Sequence, residues 1–538
     1  MSPNQTIREQ PLELSVRPCK VLLVTGTLAK NIVEMHASES KVATKTFALE
    51  TSIAAFLTPE MIARSLKDID LEGFDMILVP GLIRGDTSII TKTLNIPAFK
   101  GPRYAADLPT VLDSLEKIKL SAVIPACDLL RKELQQKALH ELEKAEQNRE
   151  VLLTKPGSIL IGGLAVGQEF PIRILAEIVD APLMDDHTIQ ATAKRFVQNG
   201  ANIVDVGMIA GESRPSDARR IVELVREAVD VPVSIDTLDP AEIQQAVLAG
   251  AALVLSADEG NIETIAPYAS KVAVVVIPTN QRQGYFPKKA EDRVKFLEEI
   301  IRKAHKLGVK KCVADLILEP SNILESFVAF REFARRNPHV PIFVGVSNVT
   351  ELMDADSVGV NAVLARLSAE VDASILLATE KSDKAKGTVS EEAAAAKMMF
   401  LAKKRGSVPK DLGIDLLMLK DKRNREEPYL RSTEENVPLI VADTKPTIAV
   451  LDSKGSFTIR IDRQEKDIVA RHHRSGKVEK PDMIIRGKTA DTIYAEIMKL
   501  GLVSRADHSA YLGSELAKAE IALKTGKEYI QDKAMFTK

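Results

Sequence analysis

Short apolar runs alternate with stretches of helical periodicity along most of the chain. Residues 20–25 (KVLLVT), 74–80 (FDMILVP) and 121–125 (SAVIP) have the unbroken apolar character of buried strands, with helix-like segments between them. Strands alternating with helices predict βαβ units and a parallel sheet, so residues 1–150 are expected to form an N-terminal α/β domain of Rossmann-like type. The turns Gly26-Thr27 and 81–85 follow strand ends, where open α/β sheets place ligands. Neither has the GxGxxG or GxxxxGKS/T spacing of a phosphate loop, so both read first as tight turns. A charged, Leu-bearing helix is expected over 128–150 as a solvated connector.

Eight more apolar runs follow: 173–179 (RILAEIV), 202–208 (NIVDVGM), 232–237 (PVSIDT), 253–258 (LVLSAD), 272–278 (VAVVVIP), 312–318 (CVADLIL), 342–348 (IFVGVSN) and 374–380 (SILLATE). Helical periodicity fills the gaps, as at 217–228, 240–249 and 293–307. Eight βα units over about 230 residues predict a closed (β/α)8 TIM barrel, assigned to 151–405; an open doubly wound sheet is the alternative. The polar stretch KDKRNREEPYLRSTEEN breaks the pattern and marks a linker, 406–437. Beyond it, 438–444, 447–451 and 456–461 read as short strands, with a turn at 453–455. A helix over 509–524 has apolar residues at 512, 516, 519 and 523 and Gly526 as its C-cap. Residues 438–538 are thus expected to form a C-terminal α+β domain.

Composition narrows the function. Lys plus Arg number 73 and Asp plus Glu 75 in 538 residues, a net charge of −2. That balance argues against nucleic acid or an anionic membrane as main partner. Aromatic residues are only 4% and Trp is absent, which disfavours a base-stacking platform. Cys19, Cys127 and Cys312 lie too far apart to read as a disulfide framework or zinc cluster. The opening MSPNQTIREQPLELS has no apolar core, and no apolar run reaches the roughly 18 residues of a membrane span. A reduced, cytoplasmic protein is expected.

In a closed βα barrel the chemistry lies at the C-terminal ends of the strands. Here those ends carry Glu177 and Asp180, Asp205, Asp236, Asp258, and Asp315 with Glu319, which places carboxylates at five of eight. Buried in one mouth, they must meet a ligand, a metal, an arginine or each other. Ser256, Ser347 and Asn348 add neutral polar groups, and the segment GESRP offers Arg214. Asp239, followed by Pro240, has the makings of a helix N-cap, which leaves Asp236 free for function.

The run GANIVDVG…GESRP, then PVSIDT, then a Gly-Ala pair before the fourth strand, an acidic end to the sixth and VGVSN resembles the pterin-binding family. That family includes dihydropteroate synthases and pterin-dependent methyltransferases. The similarity spans about 158–400, and the whole chain resembles the dihydropteroate synthase-like proteins of archaea and methylotrophic bacteria, which are associated with tetrahydromethanopterin. A pterin presents an amidine-like N–C–NH2 edge, two donors spaced for one carboxylate. The resemblance implies that Asp236 and Asp315 hold this edge, with Glu319 as the alternative to Asp315. It implies that Arg214 lies on a mobile loop serving the leaving pyrophosphate and the aryl amine. Ser256, Ser347 and Asn348 become substrate-binding candidates, and Asp205 either positions the loop or takes part.

Departures from the synthase pattern matter. The first strand has Glu177 and Asp180 where synthases place a Mg²⁺-binding Asn; hard oxygen ligands suit Mg²⁺ as well. Ser347-Asn348-Val349 replaces the synthase Ser-Arg-Lys and resembles the methyltransferase branch, and the Arg-x-His phosphate anchor is replaced by Leu377-Ala378-Thr379-Glu380-Lys381. Lys381 and Lys384 are the remaining cations there. His187 lies in MDDHTIQ, but Gln190 stands where a corrinoid-binding motif requires Gly, so it is expected on an ordinary helix. His472-His473 is expected to be exposed and His508 to start a helix.

Three functions compete. The first is a synthase joining a 6-hydroxymethyl-dihydropterin pyrophosphate to an arylamine, which family context makes ribofuranosylaminobenzene 5′-phosphate. The second is a methyltransferase passing a methyl group from a tetrahydropterin to a corrinoid protein or other acceptor. The third is a non-catalytic pterin-binding protein. A homodimer is left open as the assembly.

Overall fold

The computed structural model describes residues 19–420, 438, 440, 450–474 and 480–536. Its N-terminal portion is a four-stranded parallel sheet of β1 (Lys20–Gly26), β2 (Ala43–Leu49), β3 (Met76–Val79) and β4 (Ala98–Lys100), in the order β2-β1-β3-β4. Alternate residues of β1 and β3 enter different cores. Leu22, Val24, Ile77 and Val79 pack with Ile62, Leu66 and Ile90 on one face, while Val21, Leu23 and Leu78 pack with Ala37, Leu108 and Leu112 on the other. Two-sided burial explains why β1 and β3 are continuous apolar runs. The edge strand β2 (ATKTFAL) and the three-residue β4 carry no such run and escaped the sequence reading.

Residues 121–125 do not form the expected strand. The Ser121 hydroxyl accepts hydrogen bonds from the Val123 and Ile124 N–H groups at 3.2 and 3.1 Å, turning the chain, and Val123 is exposed. The charged helix is present as Ala126–Gln147, followed by a short turn of helix at Arg149–Leu152.

The hairpin β5 (Ile159–Ile161) and β6 (Leu164–Val166) leads into the barrel. Eight parallel strands close it: β7 (Arg173–Ile178), β8 (Ile203–Gly207), β9 (Val233–Asp236), β10 (Leu253–Ala257), β11 (Ala273–Val276), β12 (Lys311–Ala314), β13 (Ile342–Val344) and β14 (Ala373–Thr379). The expected (β/α)8 architecture is therefore the observed one. Leu175, Ile203, Leu253, Leu255, Val275, Val313, Phe343 and Ile375 fill the interior, and Ile161 and Val166 of the hairpin join them. Gly162 in the hairpin turn lies against Pro232 and Ala252, which precede β9 and β10. The hairpin thus caps the N-terminal end of the barrel and leaves the C-terminal mouth as the way in. Two strands end well short of their apolar runs: β12 stops at Ala314 and β13 at Val344, and Ser347-Asn348 begins the helix Ser347–Leu352.

The C-terminal sheet is antiparallel, with β15 (Ser456–Asp462), β16 (Asp467–His473) and β17 (Met483–Gly487) packed against helices Ala490–Lys499 and Ala506–Thr525. Only β15 and the last helix were anticipated. The expected strands 438–444 and 447–451 and most of the linker lie largely outside the described residues. His472 and His473 are buried rather than exposed. His472 bonds Asp482 at 3.1 Å and the Lys454 carbonyl at 3.0 Å, and the His473 Nε2 meets Thr458 at 2.9 Å. Polar partners on the neighbouring strand and turns allow two imidazoles to enter an apolar core. Among the described residues, no helix is long and apolar enough to cross a membrane.

Candidate functional site

Strand periodicity builds the site. Side chains two residues apart share a face of a strand, so Glu177 follows Leu175 into the barrel, Asp205 follows Ile203, and Asp315 follows Val313 just beyond β12. Register then sets their level: Thr379 lies opposite Glu177, Glu177 opposite Asp205, and Gly207 opposite Asp236. Carboxylate oxygens of Glu177, Asp205 and Asp236 come within 4.8 Å of one another. Gly207 makes room for them, since a Cβ there would overlap the Glu177 carboxylate.

The trio is short of partners. Asp205 is fully buried; its Oδ1 accepts from the Ser234 hydroxyl, and its Oδ2 meets no donor. Burial pushes the Asp205 carboxyl well above the usual range, and the neighbouring Asp236 and Glu177 add to the effect. Glu177 is raised to about 8, chiefly by burial and then by Asp236 and Asp180, with Lys381 opposing. Burial also raises Asp236 to about 6. Such a set holds protons when empty and can hold a hard cation in their place.

Asp315 completes the acidic floor. Burial lifts it to about 7, although its Oδ1 accepts from the Ile317 N–H at 2.8 Å. Glu319, the alternative to Asp315, is committed elsewhere. It pairs with Lys288 at 3.1 Å and with Arg293 at 2.6 Å. Arg293 has no exposed surface and also donates to the carbonyls of Pro287 and Ile317 and to the Ser326 hydroxyl. This network fixes the loop that carries Asp315, so the two acids divide into a ligand-facing group and a structural one.

The other predicted residues spread around the mouth. Asp180 does not join the acidic trio; it has a left-handed backbone (φ 51°) and pairs with Lys381 at 2.9 Å. Arg214 lies on the loop after β8 and faces Glu212 at 2.6 Å and Asp217 at 3.6 Å. Its own N–H donates to Glu242 at 2.7 Å. Ser256 is half-buried at the end of β10, its carbonyl accepting from Asn261 at 3.1 Å. The buried Ser347 hydroxyl accepts from the Thr379 N–H at 2.7 Å and so ties the start of the helix Ser347–Leu352 to β14. Asn348 is exposed, with one long bond of 3.4 Å to the Leu318 carbonyl. Lys384 donates to the Thr350 and Met353 carbonyls at the end of the helix Ser347–Leu352. Asp239 caps the helix Pro240–Leu248 as expected, accepting from Ala241 and Glu242 at 2.8 and 2.9 Å. His187 is exposed on the helix Asp186–Gln198, also as expected.

Three supporting residues escaped the sequence reading. Glu242 joins the Arg214 backbone to the Thr237 hydroxyl, which couples the loop after β8 to the end of β9. Glu351 accepts from the Thr379 hydroxyl at 3.1 Å and the Lys381 N–H at 2.9 Å. Arg293 does the same service under Asp315. All sit within amphipathic helices or their flanks, where a charged residue reads as surface.

The pterin binding enzyme family matches residues 180–385. The flanks match a family of unknown function over 19–103 and the PterinBD-DUF4346 family over 451–532. The uncharacterized protein MJ0107 of Methanocaldococcus jannaschii is 41% identical over 96% of this chain and 99% of its own length. A dihydropteroate synthase of Clostridium beijerinckii is 29% identical over 24% of this chain and 51% of its own. A solved Yersinia pestis dihydropteroate synthase with a pterine-sulfa conjugate aligns with 46% of this chain and 99% of its own at 18% identity and a TM-score of 0.38. Acidic barrel, family match and full-length relative together show that the chain belongs to the same family as MJ0107 and is a dihydropteroate synthase-like pterin-binding protein.

Proposed function

We propose that the chain is a transferase that condenses a 6-hydroxymethyl-dihydropterin pyrophosphate with an arylamine, ribofuranosylaminobenzene 5′-phosphate, in the making of a tetrahydromethanopterin-type cofactor. The observation that carries this reading is the pair Asp236 and Asp315, a half-buried and a buried carboxyl with spare acceptor capacity at the mouth of a pterin-binding barrel. Their charge-assisted bonds to the pterin N–C–NH2 edge hold the ring while its 6-methylene points outward. The arylamine nitrogen attacks that methylene as the carbon–oxygen bond to pyrophosphate breaks. Pyrophosphate leaves with the bonding electrons, and the new ammonium releases one proton. Catalysis is positioning plus stabilisation of the departing charge.

Glu177, Asp205 and Asp236 fit a hard divalent cation, because three carboxylates converge and the Asp205 Oδ2 lacks a donor. Mg²⁺ held there would offset the negative charge of the trio beside the pterin edge, which leaves the outward-pointing pyrophosphate to a cation at the mouth. Arg214, once turned from Glu212, supplies positive charge from a loop whose Gly211 has φ +83°. Ser256 and Asn348 contribute neutral bonds at the rim.

One observation favours a second reading, methyl transfer from a tetrahydropterin to a separate corrinoid protein. Arg214 and Lys384 are both engaged, whereas the exposed Asn348 amide makes one long bond and has donors to spare at the rim. The deciding assay is Mg²⁺-dependent pyrophosphate release from the dihydropterin pyrophosphate, with and without the ribosylated arylamine phosphate. Acceptor-dependent release that Asp236→Asn abolishes supports the synthase. Tetrahydropterin binding with no release contradicts it and moves the assignment to methyl transfer or non-catalytic binding.

A further inference from the structure

The N-terminal sheet contains a cavity of its own. In the order β2-β1-β3-β4 the chain leaves β1 for one side and returns to β3 on the other, so the connection reverses between β1 and β3. The loops after these two strands part there, opening the crevice in which open α/β sheets take ligands. A cavity of about 370 Å³ occupies this place, a size suited to a small organic molecule. Thr25 and Leu28 beyond β1, Pro80 beyond β3, Ile53 after β2, and His36 and Arg103 are among its walls. Leu28 and Ile53 remain 69% and 48% exposed, an open apolar lining without an occupant from this chain's described residues.

The chemistry of the wall selects the ligand. Apolar side chains and alanines dominate, and none of the lining side chains is a carboxylate. Arg103 supplies a permanent positive charge; its Nη1 pairs with Asp128, and a guanidinium has further donors to offer. The helix Lys30–Ala37 lies along the cavity and presents Ile32, Val33 and His36 to it. No glycine-rich phosphate loop follows β1, which speaks against a dinucleotide. We propose that this crevice is a second ligand site, independent of the barrel, for a compact organic acid with an aromatic or branched apolar body and one anionic group.

The test uses the full chain and two fluorescent probes, anionic 8-anilinonaphthalene-1-sulfonate and neutral N-phenyl-1-naphthylamine. Ala55→Trp places an indole in the cavity, and Arg103→Gln removes the charge from a half-exposed position. The expected result is saturable binding of both probes to the wild type, weakened at least tenfold by Ala55→Trp. Arg103→Gln should weaken the sulfonate about tenfold and leave the neutral probe within twofold. Circular dichroism checks that Ala55→Trp is folded, and Arg103→Gln stands alone if it is not. Absent saturable binding, or sulfonate binding that neither variant alters, overturns the site. Loss in Ala55→Trp with no effect of Arg103→Gln overturns the assignment to an acid.

Discussion

Replacing Glu177 with Gln should stabilise the unliganded protein at alkaline pH and leave it nearly unchanged at acid pH. The folded carboxyl keeps its proton to about 8, against an ordinary value of 4.5. Between those two values the folded state binds one proton more than the unfolded chain, so stability falls as pH rises. Below 4.5 both states are protonated and above about 8 both are ionised, and this group's slope vanishes. Each pH unit corresponds to about 1.4 kcal/mol, so the full window amounts to about 5 kcal/mol at most. Asp205 and Asp236 share the penalty, and the net gain on neutralising Glu177 is about 3 kcal/mol. Urea denaturation of wild type and Glu177→Gln, followed by circular dichroism at pH 5.5 and 8.5 without divalent ions, measures it. The variant should match the wild type within about 1 kcal/mol at pH 5.5 and exceed it at pH 8.5. A variant less stable at pH 8.5, or one with the wild-type pH slope, would refute the buried-acid argument.

Two further outcomes follow from the same geometry. A divalent cation replacing the protons of the trio should raise the melting temperature at pH 8 more than at pH 6. Mn²⁺ is the probe, and Asp205→Asn should remove the increment; an equal increment in the variant would place the ion elsewhere. Gly207→Ala puts a methyl group into the Glu177 carboxylate and should cost about 1–3 kcal/mol while shifting the pH slope. Unaltered stability and slope there would mean that the acids have room to spare.

The barrel was legible because strands buried on both faces are continuous apolar runs and recur with a helical stretch between them. The acids at its mouth were legible because charge at the end of an apolar run stands out, although Asp258 and Glu319 turn out to be bonded within and around the loops that carry them. What the pattern hid has local causes. Edge strands β2 and β4 lack the two-sided burial that produces an apolar run. The run 121–125 looked like a strand, but one serine hydroxyl turned it into a bend. Asp180 and Asp205 illustrate the limit at the site. Spacing put Asp180 near Glu177, yet register and inward phase bring Asp205 there, and Asp180 meets Lys381 instead. Likewise the choice between Asp315 and Glu319 required the buried Arg293, which comes from a helix elsewhere in the chain. His472 and His473 were misjudged because their partners, Asp482 and Thr458, lie on other segments.

The central claim is that Asp236 and Asp315 receive the donor edge of a pterin. Calorimetric titration of the full chain with 6-hydroxymethyl-7,8-dihydropterin, which lacks the pyrophosphate, isolates that interaction from any turnover. The wild type should bind saturably, and Asp236→Asn and Asp315→Asn should each weaken binding about 100-fold, the loss expected when a charge-assisted pair is broken at about 3 kcal/mol. Saturable binding that neither substitution alters, or no binding at all, would contradict the account.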